Sequence, residues 1–221
     1  MRLFFTCIAT LAIIPCFSQT PGGVAGSFEL WLKANAGALT LGVPSTNGGS
    51  VNVWQDQSGF RTNDATDALL SAPTYRSNTT DNINYNPVID FDGIDDGLHY
   101  GNDYVFSSGT GAENGMSWFA FVQPDVAPVT KNNQFIFDFG AYAGQGYGLQ
   151  YGYSHYAVHT PNNFGGVFST RIAHGRQTQS TLLRYAIDFG ASQALYVDGS
   201  SASTYNSAIA TTALSAAEIA E

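Results

Sequence analysis

Cysteine is almost absent from this sequence. There are two, Cys7 and Cys16, and both lie in the opening segment. That segment has Arg2 as a positive start, an apolar run from Leu3 to Phe17 too short to span a bilayer, and small residues, Cys16 and Ser18, just before Gln19. This is the pattern of a secretory signal peptide over residues 1–18. A lipoprotein variant would acylate Cys16, but Ile14-Pro15 fits that site poorly. Cleavage before Gln19 leaves a mature chain with no cysteine. A disulfide scaffold and a thiolate metal site are thereby excluded. No transmembrane segment is expected in the mature chain, which the reading places outside the cell, secreted or on the outer surface.

Charge is also scarce. Charged residues make up 11% of the chain, about half the usual share. Eight Lys and Arg stand against 17 Asp and Glu, for a formal net charge of −9. No basic cluster occurs anywhere. A nucleic-acid partner is excluded, because that affinity rests on Lys and Arg neutralising phosphates. Polar coverage must come from Ser, Thr, Asn, Gln and Tyr.

What the chain does have is aromatic residues (14%), 24 glycines and 44% hydrophobic residues in a length of 221. That length suits one all-β domain over 19–221. Strand patterns with a period of two recur between Gly and Asn turns. Phe28–Lys33 reads as a first strand, and Asn35–Ser50 as a loop. Val51–Trp54 is a short strand closed by Asp56-Gln57-Ser58-Gly59. The stretch from Phe60 to Asn86 is polar and irregular. Val88–Phe91 and Ser117–Val122 read as strands. Phe135, Phe137 and Phe139 share one face of another. Tyr147, Leu149, Tyr151 and Tyr153 line a further strand, as do Leu183, Tyr185, Ile187 and Phe189. Ala194–Val197 closes at Asp198-Gly199. This spacing predicts an antiparallel β-sandwich. One helix is expected, over Leu214–Glu221, with Ser215 as N-cap and Glu218 completing a capping box. Because the sequence ends inside that pattern, a longer parent protein is expected.

Six segments carry a family resemblance. Pro21-Gly22-Gly23-Val24, Leu30-Trp31-Leu32-Lys33-Ala34-Asn35-Ala36-Gly37 and Val53-Trp54-Gln55-Asp56-Gln57-Ser58-Gly59 resemble the opening of laminin-G-like jelly rolls in secreted proteins of Bacteroidetes-type bacteria. Asn86–Asp96 resembles that family's NPxxxFDGxDD segment. Leu195-Tyr196-Val197-Asp198-Gly199 resembles the LYVDG hairpin of laminin-G and concanavalin A-like folds, and Leu214–Glu221 the closing LSxxEI helix. The resemblance implies a jelly roll with a role in adhesion or in binding a glycan or surface protein. One departure is visible. The family's strand before the closing helix has no counterpart in the Ser/Ala/Thr stretch from Ser200 to Thr212.

Four carboxylates, Asp90, Asp92, Asp95 and Asp96, crowd the Asn86–Asp96 segment. Asp92, Asp95 and Asp96 suit Ca²⁺, which takes six to eight oxygen ligands. They equally suit a tight turn at Asp92-Gly93 with solvated neighbours. The spacing is not that of an EF-hand. Tyr147, Tyr151 and Tyr153 would form a stacking platform for sugar rings, or else fill a core margin. His155 and His159 are four apart in a strand-like context with no accompanying Glu, which excludes the zincin pattern. His174 has no partner by spacing.

Enzyme readings are poorly supplied. A laminarinase-type glycosidase, the rival that such a sandwich admits, needs two carboxylates across a cleft in an E-x-D-x-x-E strand. The chain has only Glu29, Glu113, Glu218 and Glu221, and none is so paired. There is no G-x-S-x-G elbow and no phosphate loop. The expectation is a non-catalytic binding module. A spacer in a larger adhesin and a divergent glycosidase are its alternatives.

Overall fold

The computed structural model describes residues 28–59, 63–67, 70–100, 115–124, 134–139, 147–151, 155–159, 170–173, 179–188, 192–205 and 217–219. The leader over 1–18 lies outside them. Among the described residues there are strands and no helix. In chain order they are β1 (Ala38–Thr40), β2 (Val43–Pro44), β3 (Val53–Trp54), β4 (Ala65–Thr66), β5 (Thr74–Arg76), β6 (Val88–Asp90), β7 (Leu98–Tyr100) and β8 (Gly115–Val122). They continue with β9 (Gln134–Phe139), β10 (Tyr147–Tyr151), β11 (His155–His159), β12 (Thr170–Ala173), β13 (Thr181–Asp188), β14 (Ser192–Val197), β15 (Ser200–Tyr205) and β16 (Ala217–Ile219).

Ten strands join in the order β12-β11-β10-β9-β16-β7-β4-β3-β1-β2, four in the order β15-β14-β13-β8, and β5 pairs with β6. Every described strand pair is antiparallel. The hairpins follow from their turn residues. Leu41 and Gly42 both have positive φ (49° and 84°), as do Asp198 and Gly199 (49° and 80°). Two successive positive φ values make the type I′ turn, whose twist matches that of the flanking strands. The Asp198-Gly199 hairpin was legible in the sequence; the Leu41-Gly42 one was not.

The two large sheets pack face to face. Leu98, Phe137 and Leu149 of the ten-stranded sheet share one buried cluster with Leu183, Tyr185 and Leu195 of the four-stranded sheet. Trp118 on β8 lies 5.1 Å, centroid to centroid, from Phe137 on β9, and stacks at 5.4 Å on Tyr185 of β13. The interior is thus a sandwich core built from the inward residues of alternating strands.

Five sequence expectations are corrected. Phe28–Lys33 is not a strand. It is held by side chains instead: Trp31 N–H donates to Asp56 Oδ1 (2.9 Å), and Trp54 Nε1 and Asn63 Nδ2 donate to the carbonyls of Lys33 and Glu29 (2.9 and 2.8 Å). The Asn35–Ser50 loop contains the β1–β2 hairpin, and the irregular stretch after Phe60 contains β4 and β5. Ser200–Tyr205, expected to lack a strand, pairs along β14. The expected closing helix is strand at Ala217–Ile219, which lies between β7 and β9 and pairs with both. Ladder bonds on both sides outweigh the propensity of a short helix that is marginal on its own.

Candidate functional site

The sequence-predicted acidic cluster forms at the end of β6. One ligand oxygen from each of Asp92, Asp95 and Asp96 lies within 4.8 Å of the others. Asp90 does not join them; its Oδ2 accepts from Arg76 Nε at 2.9 Å across the β5–β6 pair. Asp92 closes its own turn. Its Oδ1 accepts from the N–H groups of Ile94 (2.7 Å), Asp95 (3.2 Å) and Asp96 (3.4 Å). Its N–H in turn donates to Asp96 Oδ2 at 3.0 Å. Gly93, with φ of 66°, permits the reversal.

Burial holds the Asp96 carboxyl above the usual carboxylate range. The N–H of Asp92 partly offsets this, and the charges of Asp92, Asp95 and Asp90 add to it. Backbone bonds around the segment complete the picture: Ser71 N–H donates to the Asp95 carbonyl (3.2 Å) and Gly97 N–H to the Ser71 carbonyl (2.9 Å). The cluster is therefore a self-capped turn pinned to a neighbouring segment, with three acidic oxygens in reach of a cation.

The other sequence-predicted residues come together less. Tyr147 and Tyr151 fall on β10, and Tyr153 and His174 lie outside the described residues. His155 and His159 open and close β11. Four residues of extended chain separate their Cα atoms by about 13 Å. The Phe189 expected on the apolar face of β13 also lies outside the described residues.

A second feature sits on the outer face of the four-stranded sheet, where sequence reasoning did not look. Along β13, Thr181, Leu183 and Tyr185 are buried, while Leu182 is 43% exposed. Register carries that alternation across the sheet. Leu182 stands opposite Phe121, and Arg184 stands opposite both Phe119 and Tyr196. These residues face outward, and Phe119 and Phe121 are 64% and 54% exposed. The solvated face of an antiparallel sheet is ordinarily polar; this one groups Phe119, Phe121, Leu182 and Tyr196 around Arg184. The Arg184 guanidinium lies over the Phe119 ring (5.7 Å) and the Tyr196 ring (4.9 Å). Its Nε is buried with no hydrogen-bond partner. A donor so placed costs about 1–3 kcal/mol, which the two ring contacts offset in part. The available signal was β8 itself: Trp118-Phe119-Ala120-Phe121-Val122 is apolar at every position, as in strands covered on both faces.

No family model and no curated protein matches the chain. Among solved structures it is similar to a Trypanosoma rangeli sialidase in complex with 2-keto-3-deoxy-D-glycero-D-galacto-2,3-difluoro-nononic acid, at 16% identity and a TM-score of 0.47. The match covers 80% of this chain and 26% of the sialidase, so the chain spans about a quarter of that protein's length. A likeness of this degree carries no argument about chemistry.

Proposed function

We propose that this chain is a secreted, non-catalytic glycan-binding module of the laminin-G-like jelly-roll kind, and that it binds through the outer face of the four-stranded sheet. The observation that carries the reading is the row of Phe119, Phe121 and Tyr196 with Leu182 on a solvent-facing sheet. The CH faces of a pyranose lie well against aromatic rings, and a sheet face presents rings without a cleft. Secretion rests on the leader pattern of residues 1–18, and the non-catalytic assignment on the lack of a paired Glu motif. No helix among the described residues is long and apolar enough to cross a membrane.

The face rather than the Asp92–Asp96 turn is the binding surface, and Ca²⁺ is not required for it. A glycan array run with and without EDTA tests this. The expected result is binding to at least one glycan class that survives EDTA and is lost in Phe119→Ala/Phe121→Ala. Absence of binding under both conditions favours the spacer alternative. Hydrolysis of a β-glucan by the full chain would overturn the non-catalytic assignment.

A further inference from the structure

Arg184 sharpens the identity of the glycan. Its guanidinium sits between Phe119 and Tyr196, in the middle of three adjacent strands, β8, β13 and β14. The row therefore spans about 10 Å at ordinary strand spacing, the footprint of roughly two sugar rings. Among the described residues the guanidinium makes no ion pair, and Asp198 at the same end of the sheet has its Oδ1 engaged by the Leu182 N–H (2.9 Å). The whole chain carries a formal charge of −9. That net charge opposes an anion at long range, so the attraction for an anion that can also stack is confined to the Arg184 guanidinium between its two rings.

On this basis we infer that the outer sheet face binds acidic glycans, sugars that carry a carboxylate, with Arg184 taking the carboxylate and Phe119 and Tyr196 taking the ring faces. The inference rests on the glycan-binding reading above. Arginine suits the task because its planar fork matches a carboxylate, which the point charge of a lysine does not. An acidic peptide would satisfy the charge but leave the ring-stacking surface unused.

The test is calorimetric titration of the full chain with polygalacturonate fragments and with the same fragments fully methyl-esterified. Neutral β-glucan and galactan oligosaccharides and poly-glutamate are run beside them. The charged fragments are expected to bind about tenfold tighter than the esterified ones, or better, as a charge-assisted hydrogen bond implies. Arg184→Leu should abolish the preference while leaving the melting midpoint unchanged or higher, and Arg184→Lys should retain only part of it. If Arg184→Leu does not fold, Arg184→Gln carries the same comparison.

Equal binding of charged and esterified fragments would overturn the acidic preference and leave glycan binding standing. Poly-glutamate binding as tightly as the charged fragments would overturn the sugar specificity. No binding to any glycan would remove both this inference and the reading beneath it.

Discussion

Single carboxylates account for much of the local order, and they differ in what they hold. Asp56 accepts from Trp31 N–H (2.9 Å), Ser58 N–H (2.9 Å), Ser58 Oγ (2.8 Å) and Asn63 N–H (3.4 Å). Asp56→Ala strands these donors and is expected to lower unfolding free energy by on the order of 2 kcal/mol, read from denaturant midpoints. An unchanged midpoint would mean that water replaces the carboxylate.

Asp96 works in the other direction. Its carboxyl is raised, first by burial, so the folded state favours the proton. That contribution is complete below the ordinary carboxylate range and is lost as pH rises through the folded value. Asp96→Asn should therefore melt relatively higher than the parent at neutral pH, with the gap closing in acid. Millimolar Ca²⁺ should leave the parent's midpoint where it is. A rise with Ca²⁺ would show a native-state cation site at Asp92, Asp95 and Asp96. The Asp cluster was legible in the sequence, because carboxylates close together along the chain are close in space. The withdrawal of Asp90 to Arg76 was not, since that contact depends on the β5–β6 register.

At the scale of elements, the signals that survived were local ones. Asp198-Gly199 sets its own turn, and the alternation of Leu183 and Tyr185 sets its own inward face. The misread elements are those whose state is decided by distant partners. Phe28–Lys33 has the composition of a strand but is tied down by Asp56, Trp54 and Asn63. Ala217–Ile219 has the caps of a helix but is claimed by β7 and β9 on either side. Glu218 stands opposite His99 on one side and Asp138 on the other. Glu218→Pro removes a ladder donor inside the sheet, where proline is not tolerated. It is expected to destabilise by ~3 kcal/mol, measured by chemical denaturation. Retention of the parent's stability would contradict a paired strand at this position.

At the scale of the molecule, the described residues show a buried interface between two sheets and an apolar face left open on the four-stranded one. The first was predictable from the period-two pattern, whose inward members Leu149, Leu183, Tyr185 and Leu195 form the core. The second was hidden by the same pattern. Alternation says which residues turn inward and is silent on why their outward neighbours, Phe119, Phe121, Leu182 and Tyr196, are also apolar. Only the strand pairing places Arg184 among them. An apolar face of this kind marks a contact surface, and the proposed partner for that contact is a sugar.

The most direct check is an amide ¹H–¹⁵N titration of the chain with polygalacturonate fragments. The account predicts shifts concentrated at Ser117–Phe121, Leu182–Ala186 and Ala194–Tyr196, with the Asp92–Asp96 turn unmoved. Shifts centred on that turn, or none at all, would contradict it.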